Sequence, residues 1–227
     1  MRWIRDLTGR FPERPFYELE ELDQECEGIT EAFLQARRGI ISYPITTDDL
    51  TVLIEREVAD LDLYAELAEG VEGVTEFLPD ARPNVRIMRA LSEQPWRENR
   101  LRTTLAHELG HVKFHAVLLR FHGATQLSLF GGAATPTSWQ CQRDAVLGAS
   151  STDWVEWQAG YASGALLMPI TPVRRVVGLA LERQDCFGPV AVASPVGQEL
   201  IAAVQRAFQV SGDAARVRLE QLGHLVG

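Results

Sequence analysis

Between Pro12 and Arg38, Phe16, Leu19, Leu22, Cys26, Ile29 and Phe33 recur every three or four residues among charged neighbours, and Gly39 follows. That period predicts a long amphipathic helix. A second helix opens at Thr46, which can cap with Asp49 three positions on, and carries Leu50, Leu53, Ile54 and Val58 on one face. The period then falls to two. Leu61 and Leu63 alternate with acids, GVTEF reads as a strand, and NVRIM follows a Pro-Asp-Ala-Arg-Pro turn, so a small sheet is expected. Helical spacing returns from Glu98 to Leu119. Residues 120–152 are rich in Gly, Ala, Ser and Thr and read mostly as loop, long enough to serve as a lid. A further helix, DWVEWQAGYASGALLMP, stops near Pro169. Three more make up the tail, the last two being GQELIAAVQRAF and GDAARVRLEQL. No internal repeat is present.

Composition narrows this picture. A chain of 227 residues with 46% hydrophobic positions can bury a substantial core. No apolar run approaches the roughly 18 residues of a membrane span, and the opening MRWIRDLTGRFPERP lacks a signal-peptide core, so a cytoplasmic protein is expected. Cys26, Cys141 and Cys186 form neither a disulfide framework nor a metal knuckle. The net charge of −9 argues against a protein that coats nucleic acid or an anionic membrane.

The chemistry-bearing stretch is RTTLAHELGHVKFH. At about 100° per residue His107 and His111 lie about 40° apart and one turn along, so both imidazoles can reach one ion. Glu108 is displaced around the helix, which suits a general base acting on water rather than a ligand. Two structural histidines on a helix face are the bland alternative. Leu105, Ala106, Leu109 and Val112, which make the helix a buried one, and Gly110, which permits close backbone approach, favour the zinc site. A catalytic zinc needs a third protein ligand. His115 lies too far around and along the helix and reads as a support or a surface residue, while His122 and His224 read as exposed. Glu156, on a helix of small residues (Ala159, Ala162, Ser163, Ala165), is the better candidate, because a carboxylate on such a face needs a cation or an arginine. Asp153 is its rival, although a helix N-cap suits Asp153 better.

In these two blocks, AHELGHVKFH and EWQAGYASGALLMP, and in VEGVTEFLPDARPNVRIM before them, the chain resembles the ImmA/IrrE family of zinc metallopeptidases over roughly Thr46 to Pro169. Gly160 stands where that family usually has Asn, Tyr161 replaces Phe, and the segment between the motifs is long. The resemblance implies a small gluzincin-like α+β fold: a short three-stranded sheet packed on an active-site helix and a ligand helix. It implies Zn2+ held by His107, His111 and Glu156, with Glu108 as catalytic base. It also implies a substrate class: a helix-turn-helix transcriptional repressor, cut in a stress or mobile-element switch.

The remaining features complete the expectation. Cys141, inside the long insert, is a candidate regulatory fourth ligand, against the commoner role of a packed small hydrophobe. Trp139, Trp154 and Trp157 are expected to seat the insert and ligand helix on the core. Asn84, Val85, Arg86, Ile87 and Met88 are expected to form an edge strand that binds an extended substrate by main-chain hydrogen bonds. Residues 1–169 are then a zinc peptidase domain and 170–227 a helix-turn-helix-like extension. Six arginines against five acids in that extension favour packing or partner binding over reading DNA. The alternatives are a DNA-associated regulator with a structural zinc, and a toxin-like module that binds a partner without cutting it.

Overall fold

The computed structural model describes residues 1–77, 81–118, 137–142 and 153–227. They form a mixed α+β protein of two compact units, Met1–Leu22 with Thr47–Ser163 and Asp23–Thr46 with Gly164–Gly227. These units do not follow the boundary expected at Pro169: the second also draws in residues 23–46 and begins its later segment at Gly164.

The first unit opens on an antiparallel hairpin, β1 (Arg2–Arg5) and β2 (Glu13–Phe16), with Trp3 opposite Pro15. The helix expected from Pro12 therefore begins only at Leu19, as α1 (Leu19–Arg38). Pro15 has no amide hydrogen and a fixed φ, which suit a two-stranded ribbon better than a helix interior. The Asp6 carboxylate closes the hairpin loop, accepting from the Thr8 amide (3.0 Å), the Thr8 hydroxyl (2.8 Å) and the Phe11 amide (3.1 Å).

After α2 (Thr47–Glu55) comes the sheet, formed by β3 (Asp60–Ala65), β4 (Val71–Phe77), β5 (Asn84–Met88) and β6 (Thr137–Gln142). Its order is β3-β5-β4-β6, with β3 parallel to β5 and the other neighbours antiparallel. Two expectations are corrected here. The sheet has four strands rather than three, because residues 137–142, read from composition as loop, pair along the length of β4. And Asn84, Val85, Arg86, Ile87 and Met88 are not an edge strand. Leu61 stands opposite Val85 on one side and Thr75 on the other, so the main-chain groups of β5 are spent within the sheet and cannot receive a substrate. Val85 and Ile87 are fully buried.

A short helix, α3 (Arg89–Ser92), and a 3₁₀ turn at Pro95–Arg97 lead into α4 (Glu98–Phe114). Every residue from Leu101 to Val112 is buried. A helix buried all round must find partners inside the protein for its polar side chains, and that requirement builds the site described below. Helix α5 (Trp154–Leu167) starts in the same unit. A Cβ at Gly110 would lie 3.2 Å from the Ala159 backbone and 3.3 Å from the Ala162 methyl, closer than side-chain carbons ordinarily sit. Glycine at 110 thus lets α4 and α5 come together, and the Ser163 hydroxyl donates to the Thr103 carbonyl at 3.0 Å.

The second unit contains most of α1, then α6 (Ile170–Arg183), α7 (Pro195–Phe208), α8 (Gly212–Gln221) and a two-stranded parallel ribbon, β7 (Val190–Ala191) with β8 (Leu225–Val226). Cys26, Leu34, Leu200, Val204, Phe208 and Leu219 are among its buried side chains. Burial pushes the Cys26 thiol well above its ordinary pKa, so it is an inert core group. Ser194 and Ser211 cap α7 and α8 by accepting from the amides of Gly197 and Ala214, and Gln209, at φ 51°, ends α7. The arginines of this helical pair are engaged: Arg218 is buried against Asp23 (2.6 Å), Arg216 pairs with Glu220 (2.9 Å) and Arg206 with Glu199 (2.8 Å). His224, expected to be exposed, is half-buried here; His122 lies outside the described residues. Among the described residues no single helix is long and apolar enough to cross a membrane.

Candidate metal centre

His107 and His111 are fully buried on α4, and their Nε2 atoms are 3.1 Å apart. Glu156, in the first turn of α5, places Oε2 3.2 Å from His107 Nε2 and Oε1 3.4 Å from His111 Nε2. These three side chains form a buried group that could hold a metal ion. The separations also fit one: donors at zinc-like bond lengths around a tetrahedral centre stand about 3.3–3.4 Å apart. Burial raises the Glu156 carboxyl, but the two facing imidazoles outweigh it and hold the group well below the usual carboxylate range. Burial depresses His107, whereas at His111 the carboxylate overcomes burial and the net shift is upward. The centre is thus an anionic carboxylate with two imidazoles turned toward one point.

The tautomer of His111 is set from behind. Its Nδ1 lies 2.9 Å from Nδ1 of His115, whose Nε2 lies 2.8 Å from Oε1 of Gln158 on α5. Burial pushes His115 down to about 3, so it is neutral. It donates from Nε2 to the Gln158 oxygen and accepts at Nδ1 from His111. Neutral His111 then carries its proton on Nδ1 and leaves Nε2 bare toward the centre. His115 is therefore a buried support, not a surface residue. By contrast, His107 Nδ1 has no hydrogen-bond partner among the described residues. Gln158→Ala is expected to keep the fold but weaken metal binding about 10–100-fold, measured by competition with a chelating dye.

The N-terminal hairpin fixes the start of α5. Arg10 donates to both Asp153 oxygens at 3.0 Å, Arg14 lies 4.8 Å over the Trp154 ring, and Phe11 meets that ring edge-on at 6.3 Å. Trp154 in turn sits edge-on to His115 at 5.7 Å. Asp153 is outside the metal-holding group; it weakly caps α5, accepting from the Glu156 amide at 3.5 Å. Trp154 is buried as expected of a seating residue, whereas Trp157 is partly exposed and packs on Tyr161 at 5.8 Å.

Glu108 takes no part in the His-His-Glu group. It is fully buried and turns to β4, where its Oε2 accepts from the Thr75 hydroxyl at 2.5 Å. A Cβ on Gly73 would fall 2.3 Å from Glu108 Oε1, so the carboxylate occupies the space that Gly73 leaves vacant. Nearby, Arg100 donates from Nε to the buried Glu72 carboxylate, and the positive charge of Arg100 helps depress His107. The backbone of Cys141 stands opposite Gly73 in the β4–β6 pairing; its side chain lies outside what is described.

Sequence reading missed Gly73, Thr75, Gln158 and the hairpin residues. One signal was available for the first: a glycine inside a run of strand formers marks close approach of another group. Gln158 and the hairpin carry no spacing that points to His115 or Trp154. The chain matches no protein-family model, and no curated protein is significantly similar to it.

Proposed function

We propose that this chain is a zinc-dependent endopeptidase of the ImmA/IrrE kind that cuts a helix-turn-helix transcriptional repressor in the cytoplasm. The observation that carries the reading is the division of labour on α4: His107 and His111 face Glu156, while Glu108, next in sequence to His107, turns its carboxylate to Thr75 of β4 instead. Among the described residues the group offers three donors, which leaves a tetrahedral ion one position, as in catalytic rather than structural zinc sites.

His107, His111 and Glu156 would hold the ion, which when bound lowers the pKa of water and polarises the carbonyl under attack. The chain's own residues do the rest. Glu108 takes the proton of the attacking water and returns it to the leaving amine. Its hydrogen bond from Thr75 keeps the carboxylate aimed. The His115–Gln158 pair holds His111 in the tautomer a ligand requires.

The repressor rests on the resemblance in the two motif blocks, and the net charge of −9 complements the basic surface of a DNA-binding protein. Engagement of Arg206, Arg216 and Arg218 with acids of their own unit supports a partner-binding tail over a DNA reader. The test is co-expression with the repressor encoded nearest to this chain, following repressor length and target transcription. Shortening that requires Glu108 is expected. Intact repressor under every inducing condition, with hydrolysis of unrelated unfolded proteins, would leave a general peptidase.

A further inference from the structure

We infer that β4 is the seat of the catalytic base, with Thr75 as the positioning residue of Glu108 and Gly73 as the gap that admits its carboxylate. The inference rests on the endopeptidase reading. Residues 73 and 75 are two apart on one strand, so they share a face of the sheet, and both meet Glu108: Thr75 by a hydrogen bond to Oε2, Gly73 by an absent side chain against Oε1. The strand is braced on both sides, Gly73 opposite Ile87 and Cys141, Thr75 opposite Val85 and Trp139. Thr75 and Glu108 are both fully buried.

A general base must hold its carboxylate in one orientation if it is to take a proton from water at a fixed point. A hydroxyl donor on a rigid strand fixes that orientation, and a group held before the reaction costs no reorganisation during it. The hydrogen bond is charge-assisted and short, the stronger kind. The hydroxyl of Thr75 donates to Glu108 and Thr75 is not a member of the His-His-Glu group, so it acts through Glu108 as a positioning residue.

Thr75→Val removes the donor at nearly constant shape, Thr75→Ser restores it, and Gly73→Ala pushes the carboxylate off its seat. Each is made in the full chain, with and without Glu108→Gln, and loaded with zinc for kinetics or cobalt(II) for its visible absorption. Metal per chain is expected to stay unchanged. For Thr75→Val, kcat is expected to fall about 10–100-fold, the loss of one charge-assisted hydrogen bond, with KM unchanged; Thr75→Ser recovers it. Gly73→Ala follows Thr75→Val. Both shift the cobalt band, since the carboxylate beside the ion moves, and neither changes kcat or band further once Glu108 is glutamine.

Full kcat and an unmoved band in Thr75→Val overturn the inference, as does a loss that persists undiminished beside Glu108→Gln. If the wild type cleaves nothing, the endopeptidase reading fails; the cobalt band still decides whether β4 seats Glu108.

Discussion

Glu108→Gln is expected to retain one metal per chain and a wild-type unfolding midpoint while kcat falls about 10²–10⁴-fold, the usual contribution of a positioned general base. The two side chains have the same shape, and the amide oxygen can still accept from Thr75, so the packing against β4 survives. What disappears is basicity: an amide does not take the proton of an attacking water. Elemental analysis and turnover of the repressor or an unfolded protein, run on the same preparation, measure both halves. Unimpaired cleavage would remove Glu108 from its role, and lost metal would make it a ligand after all.

Glu156→Ala should have the complementary effect. Metal content is expected to drop from about one per chain to near zero after dialysis, with activity following it. Glu156 supplies the single charged donor of the group; its two oxygens lie 3.2 and 3.4 Å from the two histidines, and nothing else in that group can replace it. His111→Ala should behave alike. Asp153→Ala is the informative contrast, because Asp153 lies one turn earlier yet only caps α5 and receives Arg10. It should keep its metal and lose about 1 kcal/mol of stability, the ordinary worth of a cap. Retention of a full equivalent of metal by Glu156→Ala would end the proposed ligand set.

The contrast between these acids shows how much could be read from the chain. The grouping of His107, His111 and Glu156 was legible because holding a metal ion would impose strict demands on residue type and helical spacing, and those demands are local. Strands β3 to β5 were legible from their alternation. The place of β5 inside the sheet was not, since Asn-Val-Arg-Ile-Met alternates equally well at an edge or in the interior, and strand order depends on partners far along the chain. For β6 the reason is different: Thr-Ser-Trp-Gln-Cys-Gln has strand formers among small polar neighbours, and its pairing with β4 is what makes it a strand. Thr75 and Gln158 were invisible as site residues for a related reason. A hydroxyl or an amide is ordinary in any sequence until a fold brings it within 3 Å of a carboxylate or an imidazole.

The hairpin at the start of the chain bears on timing. Arg10 grips Asp153 across 143 positions, and His107 meets Glu156 across 49. Contacts so distant in sequence must wait for loop closure, which makes them late events in folding. During synthesis, which runs from the N-terminus, the motif helix emerges with its histidines well before the acid that completes their group, and the hairpin waits longest for its partner. On the nascent chain the group that could hold a metal ion is therefore incomplete until Glu156 has been made, and, if the proposed function holds, no cleavage could begin before that point.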